Sequence, residues 1–225
     1  MKCVLISTRP QWCELIAADM KTEELRKSKP NLDLPFKCYI YQTKQKWLYN
    51  LLVRFDRLRT AQILADGLCK VIGEFVCDEI KPVHFNSLEK ETICQLAVGN
   101  GDAEWYRGSC VSYKEAYRYL RGSKKAYAWH ISDLQIYDKP KPLWNFLKCG
   151  APSPNELDEE LCSYCEHTEW GERRCYGTPT GPVMCEGSFC GEAYDLYLDE
   201  NYALKRPPQS WCYVEELNGK SNDQK

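Results

Sequence analysis

The chain has 225 residues, enough for one sizeable hydrophobic core or two small ones, and its 44% hydrophobic and 28% charged residues are ordinary for a globular protein. The formal net charge of −2 argues against tight, non-specific binding to nucleic acid, while twelve prolines and 12% aromatic residues favour a β-rich protein with many loops. Because no apolar run of about eighteen residues occurs and the N-terminus lacks the apolar stretch of a signal peptide, we expect no membrane contact and a cytoplasmic location.

The first predicted elements are a strand over residues 1–8 and a short helix over residues 10–18. Proline is favoured in the first turn of a helix, so Pro10 marks the start of this one. The apolar residues Trp12, Leu15 and Ile16 recur at helical spacing. We expect this apolar face of the helix to pack into the core.

Three charged residues, Lys21, Glu24 and Arg26, follow the helix in a segment predicted to be a strand. Side chains alternate between the two faces of a strand, so Glu24 and Arg26 share a face that Thr22 can join. Lys21 lies at the preceding turn, where its flexible side chain can reach over the same spot. The segment therefore predicts a cluster of charges that serves ligand recognition rather than stability. The alternative is a solvated run of charges on the surface.

The segment from Asp19 to Arg26 resembles the signature GxKxxExR of the ASCH domain family, a branch of the PUA-like small β-barrels. Lys21, Glu24 and Arg26 fall on its Lys, Glu and Arg. Asp19 occupies the Gly position, and Asp tolerates the left-handed backbone conformation better than most residues. The resemblance implies an α+β fold, a small mixed PUA-like β-barrel with two or three helices. Residues 1–217 as a whole look like a bacterial or phage ASCH protein with an added cysteine-rich module.

Four further strands are predicted from alternating aromatic, β-branched and other apolar residues, over residues 36–43, 70–77, 126–137 and 210–217. The third of these strands is expected to bend at residues 132–133. A helix is predicted over residues 112–120, because Ser112 and Glu115 have the spacing of a capping box. Residues 84–105 are expected to be irregular.

The fourteen cysteines are not expected to form disulfides in a reducing cytoplasm, so they should be core residues, metal ligands or reactive thiols. Six of them lie among apolar residues and are predicted to be small core residues: Cys3, Cys38, Cys69, Cys77, Cys94 and Cys212.

A cysteine-rich segment contains two close cysteine pairs about twenty residues apart, the spacing of a structural zinc site. The predicted Zn²⁺ ligands are Cys162, Cys165, Cys185 and Cys190, with Cys175 and His167 as alternatives. A segment with few aliphatic residues cannot build a core alone, so a metal ion is a natural organiser. Free thiols in a flexible loop, or a redox-active pair, remain the other interpretations.

Four regions are predicted along the chain. Residues 1–150 form the ASCH or PUA-like barrel, 151–205 a zinc-ribbon-like insertion, 206–217 the closing strand of the barrel, and 218–225 a frayed tail. Residues 21–70 contain eleven Lys or Arg against five acidic residues, whereas residues 151–200 contain two against twelve. The basic part is expected to face a nucleic-acid backbone and the acidic part a protein partner. The alternative is that the two parts simply neutralise each other.

The predicted function is binding of RNA or a modified nucleoside in a barrel cleft lined by Lys21, Glu24 and Arg26. Four further residues are predicted to contact the ligand: Thr22, Tyr41, Trp129 and His130.

The resemblance also implies a hydrolase, because some small ASCH proteins remove the acyl group of N4-acetylcytidine. They use a Lys and a Thr of this motif and a later Glu, for which Glu74 and Glu104 are candidates. Here Glu24 stands where that Thr would be, and a carboxylate cannot replace a hydroxyl nucleophile without a change of mechanism. The first alternative is therefore a hydrolase of a modified nucleobase or of RNA, with Lys21 and Glu24 as acid and base. The second is a protein-interaction adaptor that works through the acidic zinc module.

Overall fold

The computed structural model of this protein describes residues 1–44, 68–83, 104–120, 125–152, 174–175, 183–184 and 198–217. The chain divides into two compact units. The larger unit comprises Cys3–Leu143 and Pro207–Cys212, and the smaller comprises Met1–Lys2, Trp144–Arg206 and Tyr213–Lys225.

The described elements are mostly strands with a few short helices, which confirms the predicted α+β class. The strands are β1 Lys2–Thr8, β2 Glu23–Arg26, β3 Phe36–Gln42, β4 Lys70–Cys77, β5 Ile80–Val83, β6 Ala126–His130, β7 Ser132–Pro142, β8 Arg174–Cys175, β9 Val183–Met184 and β10 Trp211–Glu215. The helices are α1 Pro10–Ala17, α2 Glu104–Ser109, α3 Tyr113–Leu120 and a 3-10 turn at Leu143–Asn145. Among these residues no helix is long and apolar enough to cross a membrane.

A five-stranded sheet with the order β10-β1-β3-β4-β7 carries most of the core. Strands β1 and β3 are parallel, and α1 and β2 lie on the connection between them, as a parallel pair requires a crossover. Strands β3, β4 and β7 are antiparallel. The fully buried side chains of this sheet include Val4, Leu5, Ile6, Ile40 and Val71.

A three-stranded antiparallel sheet with the order β2-β6-β5 forms the second layer of the larger unit. Leu25 of β2 lies in a buried apolar cluster with residues of β5, β6 and α3: Val83, Ala116, Leu120, Ala126 and Ala128. Trp129 of β6 makes an edge-to-face ring contact with Phe36 of β3, at a centroid distance of 5.9 Å. The face of β6 that carries Trp129 therefore meets the five-stranded sheet.

The predicted single strand 126–137 is in fact two strands in different sheets. Strand β6 ends at His130, β7 begins at Ser132, and Asp133 has a left-handed φ of 46°. The expected bend is thus the point at which the chain passes from the three-stranded to the five-stranded sheet. Among the described residues the strands form these two sheets and the short pair β8–β9, and no closed barrel is detected.

The capping box of α3 is confirmed. The Ser112 backbone N–H donates to the Glu115 carboxylate at 3.2 Å, and the Glu115 backbone N–H donates to the Ser112 hydroxyl at 3.3 Å. Cys3, Cys38 and Cys77 are buried as predicted, but Cys69 is exposed, because it lies in a turn with a φ of 60° just before β4.

The smaller unit contains the two-stranded pair β8–β9 and two isolated bridges, Leu147 with Ala203 and Lys148 with Val214. The predicted zinc ligands Cys162, Cys165, Cys185 and Cys190 and the alternative His167 lie outside the described residues. For Cys175 only the backbone, in β8, is described. The zinc-ribbon-like insertion and the four domain boundaries therefore stay predictions.

Candidate functional site

The turn after α1 places Lys21. Asp19 has a left-handed φ of 55°, its N–H donates to the Ile16 carbonyl at 2.9 Å, and the Met20 N–H donates to the Leu15 carbonyl at 2.9 Å. These two bonds are those of a Schellman motif, which usually has Gly in the left-handed position. The turn that the Gly of the signature would make is thus made here by Asp19. It ends the helix and directs the chain into β2.

Lys21 is held by three acceptors. Its Nζ donates to the Glu23 carbonyl at 2.7 Å and to the Ser109 carbonyl at 2.6 Å, and it lies 3.3 Å from Oε2 of Glu24. The ammonium also lies 5.5 Å from the ring centroid of Trp12, a half-buried residue of α1. A protonated ammonium has three hydrogens, so this arrangement uses all of its donors.

Arg26 joins β2 to the ends of two strands of the five-stranded sheet. Its Nη1 donates to the Ser210 carbonyl at 2.9 Å, and its Nη2 donates to the Ser7 carbonyl at 3.0 Å. Nη2 also lies 2.8 Å from Oε1 of Glu24 and 3.4 Å from the Thr8 hydroxyl. Glu24 therefore bridges the two cations, with one carboxylate oxygen toward each.

We call Lys21, Glu24 and Arg26 the ion cluster. These residues are only 2%, 7% and 4% exposed, so the interpretation of the segment as a solvated charge run is wrong. Their formal charges sum to one positive charge. The neighbouring Cys13 thiol does not cancel it, because burial, and secondly the charge of Glu24, raise the pKa of Cys13 well above its ordinary value and keep the thiol neutral.

Trp129 lies on the same face of the three-stranded sheet as the ion cluster. It is the register partner of Glu24 in the β2–β6 pair, and it is fully buried. Its ring contacts Phe36 and also Trp211, at a centroid distance of 6.1 Å. The Trp129 Nε1 and the Arg26 Nε are both buried and have no hydrogen-bond partner in the described part of the chain.

Besides Trp129, the predicted ligand contacts are Thr22, Tyr41 and His130. Of these three, Thr22 is next to the ion cluster, because it directly follows Lys21 in the chain. The Thr22 backbone links α2 to the residue that follows β6, since its N–H donates to the Gly108 carbonyl at 2.9 Å and its carbonyl accepts from the Ile131 N–H at 2.9 Å. The Thr22 side chain is half-buried.

Tyr41 and His130 are placed elsewhere. Tyr41 lies on β3 beside Cys69, and burial, with a smaller contribution from Cys69, raises the pKa of Tyr41 to about 12. His130 lies on the face of β6 opposite to Trp129, and its Nδ1 is 2.7 Å from Oδ1 of Asp78. That hydrogen bond is the main reason why the pKa of Asp78 is below its usual value. None of the contacts described for Tyr41 or His130 joins them to the ion cluster.

Two carboxylates outside the ion cluster were not assigned a contact from the sequence. Glu23 is buried on the opposite face of β2, and its Oε1 lies 3.6 Å from the Lys81 Nζ. Desolvation raises the pKa of Glu23, and the charge of Lys81 opposes this only in part. Glu74 of β4 is held by Lys37 at 3.1 Å and accepts a hydrogen bond from the Tyr137 hydroxyl at 2.5 Å. Only a structure could show these partners, since they lie on different strands.

Among the residues whose side chains are described, no group of His, Cys, Asp or Glu is arranged to hold a metal ion. Because the predicted zinc ligands lie outside those residues, this observation does not bear on the zinc prediction.

No family model matches the chain, and no curated protein matches it either. The chain is similar to solved structures of the ASCH protein from Zymomonas mobilis. The crystal structure of that protein is 16% identical, covers 89% of this chain and 95% of that chain, and has a TM-score of 0.41. A single-substitution mutant of the same protein is 16% identical to this chain. The similarity covers 89% of this chain and 98% of the mutant chain, with a TM-score of 0.42. A similarity this distant does not define the family, so membership in the ASCH family stays a prediction from the motif.

Proposed function

We propose that this chain is an ASCH-type module that binds RNA or a modified nucleoside at the ion cluster of Lys21, Glu24 and Arg26. The observation that carries the proposal is the burial of all three charges around a single bridging carboxylate. Burying an ion costs several kcal/mol even after relaxation, as an order of magnitude. Charged groups held at such a cost, in a fixed geometry, are common at functional sites.

The backbone contacts of the cluster support a preorganised site. Lys21 is fixed by a carbonyl at the end of α2, and Arg26 by carbonyls at the end of β1 and just before β10. A ligand that binds Glu24 therefore meets a carboxylate whose position is already set, and little ordering is required on binding.

The chemistry of the cluster favours a ligand with N–H or O–H donors. An ionised carboxylate only accepts hydrogen bonds, and Glu is the residue that accepts from the exocyclic amine of cytosine in nucleic-acid recognition. Trp12, half-buried beside the Lys21 ammonium, supplies an aromatic ring on which a base can stack. A nucleoside with a free amine or amide edge is thus the ligand class that fits best.

The hydrolase alternative fits less well. Lys21 already donates to two carbonyls and contacts Glu24, so none of its hydrogens is left to protonate a leaving group. No hydroxyl stands at position 24, and Glu74 is engaged by Lys37 and Tyr137. We therefore propose binding rather than hydrolysis.

The experiment is calorimetric titration of the full chain with cytidine, N4-acetylcytidine and a short single-stranded RNA. For the tightest ligand, Glu24→Gln should weaken binding by about tenfold or more, because a hydrogen bond to a charged group is lost. Glu14→Gln, an exposed carboxylate of α1, is the matched control and should leave the affinity unchanged.

Equal affinity of the wild-type chain and Glu24→Gln for every ligand that binds would overturn the proposal. Release of acetate from N4-acetylcytidine by the wild-type chain would favour the hydrolase alternative instead.

A further inference from the structure

The geometry points to an anion subsite beside the ion cluster, formed by Arg26 and Trp129, that takes a phosphate group. This inference rests on the proposed function, because it extends the ligand from a nucleoside to a nucleotide. Three independent observations carry it: two buried donors, their placement on one sheet face, and the net charge of the cluster.

The first observation concerns hydrogen bonding. The Arg26 Nε–H and the Trp129 Nε1–H are buried, and in the described part of the chain neither has an acceptor. Buried donors in native proteins are almost always paired with protein, water or a ligand. Two such groups in one region therefore require acceptors that the described residues do not supply.

The second observation is placement. Glu24 of β2 pairs with Trp129 of β6, and Arg26 pairs with Tyr127, so Arg26 and Trp129 are diagonal neighbours on one face. Diagonal neighbours in an antiparallel pair lie about 7–8 Å apart, within reach of long and aromatic side chains. A phosphate group presents several oxygens and can accept from both side chains at once.

The third observation is charge. The ion cluster carries a formal excess of one positive charge, and burial raises the pKa of both adjacent thiols, Cys13 and Cys38, so that neither supplies a negative charge. An anionic acceptor would neutralise this excess, whereas a neutral acceptor would not. Guanidinium groups and phosphates are a preferred pair in proteins.

The test uses the indole N–H resonances of the ¹⁵N-labelled full chain. Trp129→Phe identifies the resonance of Trp129, and Trp144→Phe, at a tryptophan that is 65% exposed and lies outside the cluster, is the control. The chain is titrated separately with inorganic phosphate, cytidine 5′-monophosphate and cytidine. We expect the Trp129 resonance to move with the first two and to move less with cytidine.

Calorimetry gives the affinities. The nucleotide should bind about tenfold or more tightly than the nucleoside, and Trp129→Phe should remove most of that difference while Trp144→Phe keeps it. Sulfate should compete with the nucleotide but not with the nucleoside, a measurement that needs no variant and so stands even if Trp129→Phe folds poorly.

The two proposals fail differently. If cytidine binds and Glu24→Gln weakens it, but phosphate adds no affinity and leaves the Trp129 resonance in place, the anion subsite is wrong and the proposed function stands. If the nucleotide moves the Trp129 resonance but Glu24→Gln leaves binding of the base unchanged, the anion subsite stands and the proposed function is wrong. Binding of inorganic phosphate alone, with no nucleotide preference, would overturn the extension to nucleotides.

Discussion

Arg26 ties the ion cluster to the five-stranded sheet. Its guanidinium donates to the backbone of Ser7 and Ser210, residues that are 19 and 184 positions away in the chain. Alternation along β2 was enough to predict that Glu24 and Arg26 share a face. It could not predict the carbonyl acceptors or the burial, because both come from elements distant in sequence. The expectation that the cluster serves recognition rather than stability is therefore incomplete, since these contacts also hold strands together.

Truncation of Arg26 should be strongly destabilising. Arg26→Ala removes one of the two cations that Glu24 contacts and leaves the part-buried carbonyls of Ser7 and Ser210 without this donor. Breaking a buried ion pair in this way typically costs about 3–5 kcal/mol of unfolding free energy. Urea denaturation measures the change. Lys29→Ala, at an exposed charge, should stay within about 0.5 kcal/mol of the wild-type chain. A loss for Arg26→Ala as small as that of the control would mean that the cluster does not hold the strands.

Glu23 gives the fold a pH dependence. Desolvation raises its pKa in the folded state, so its ionisation opposes folding. Below the unfolded-state pKa of about 4.3, Glu23 is protonated in both the folded and the unfolded state, so it does not affect the unfolding free energy. As the pH rises through the higher folded-state pKa, the ionisation of Glu23 lowers the unfolding free energy. Glu23→Gln should therefore melt at a higher temperature than the wild-type chain at pH 7, and the difference should shrink toward pH 4.

The measurement is the melting temperature of Glu23→Gln and of the wild-type chain between about pH 4 and 8, a range that spans the pKa values of Glu in proteins. Glu79→Gln is the matched control, because Glu79 also contacts Lys81, at 3.2 Å, but its side chain is 56% exposed. A difference between Glu23→Gln and the wild-type chain that grows as the pH falls would contradict the assignment.

At the scale of elements, the turn after α1 determines where β2 begins. Asp19 adopts a left-handed conformation that Gly adopts at no steric cost. Asp19→Gly should keep or raise the unfolding free energy, and Asp19→Val should lower it by about 1–2 kcal/mol. The control is Ala17→Gly, at the last residue of α1, where the backbone is helical and Gly should instead lose up to about 0.5–1 kcal/mol. Chemical denaturation measures all three, and a stabilising Asp19→Val would show that the turn is not left-handed in solution.

Strand β5 and helix α2 are among the elements that the sequence does not predict, and each contains a residue that argues against it. Pro82 lies in β5. A proline cannot donate a hydrogen bond within a sheet, but it is tolerated here because β5 is an edge strand. Gly108 lies in α2, although Gly is a poor helix former. Any other residue at this position would place its Cβ 2.6 Å from the Thr22 hydroxyl and 2.7 Å from the Glu23 Cγ, which is too close. Packing between elements thus outweighs the local preference at both positions, and no sequence pattern reveals it.

The cysteine-rich segment is predicted to be organised by one zinc ion. Elemental analysis of chain purified without chelator should find one zinc per molecule, and Cys162→Ser with Cys190→Ser should abolish it, because structural zinc needs four ligands. Cys175→Ser is the control and should have little effect. Full zinc retention by the double variant would show that other residues hold the metal, and a severe effect of Cys175→Ser would make Cys175 a ligand.

Across the whole molecule, the sequence predicts most of the strands but not their distribution between two sheets. Apolar residues run from Ala126 to Trp129 and recur at Leu134 and Ile136, so both sides of residue 131 are typical of a strand. Nothing in this pattern shows that β6 and β7 belong to different sheets. The opposite net charges of residues 21–70 and 151–200 can likewise be counted in the sequence, but the count does not show which surfaces carry them. An acidic surface for a protein partner stays a prediction.

Under the proposed function, the ligand contacts the ion cluster. A crystal structure of the full chain with the tightest ligand of the titration panel would show this contact. We expect the ligand to accept from or donate to at least one of Lys21, Glu24 and Arg26 and to lie against Trp12 or Trp129. A ligand bound around Glu74 and Tyr137, or on the cysteine-rich segment, with the ion cluster untouched, would contradict it.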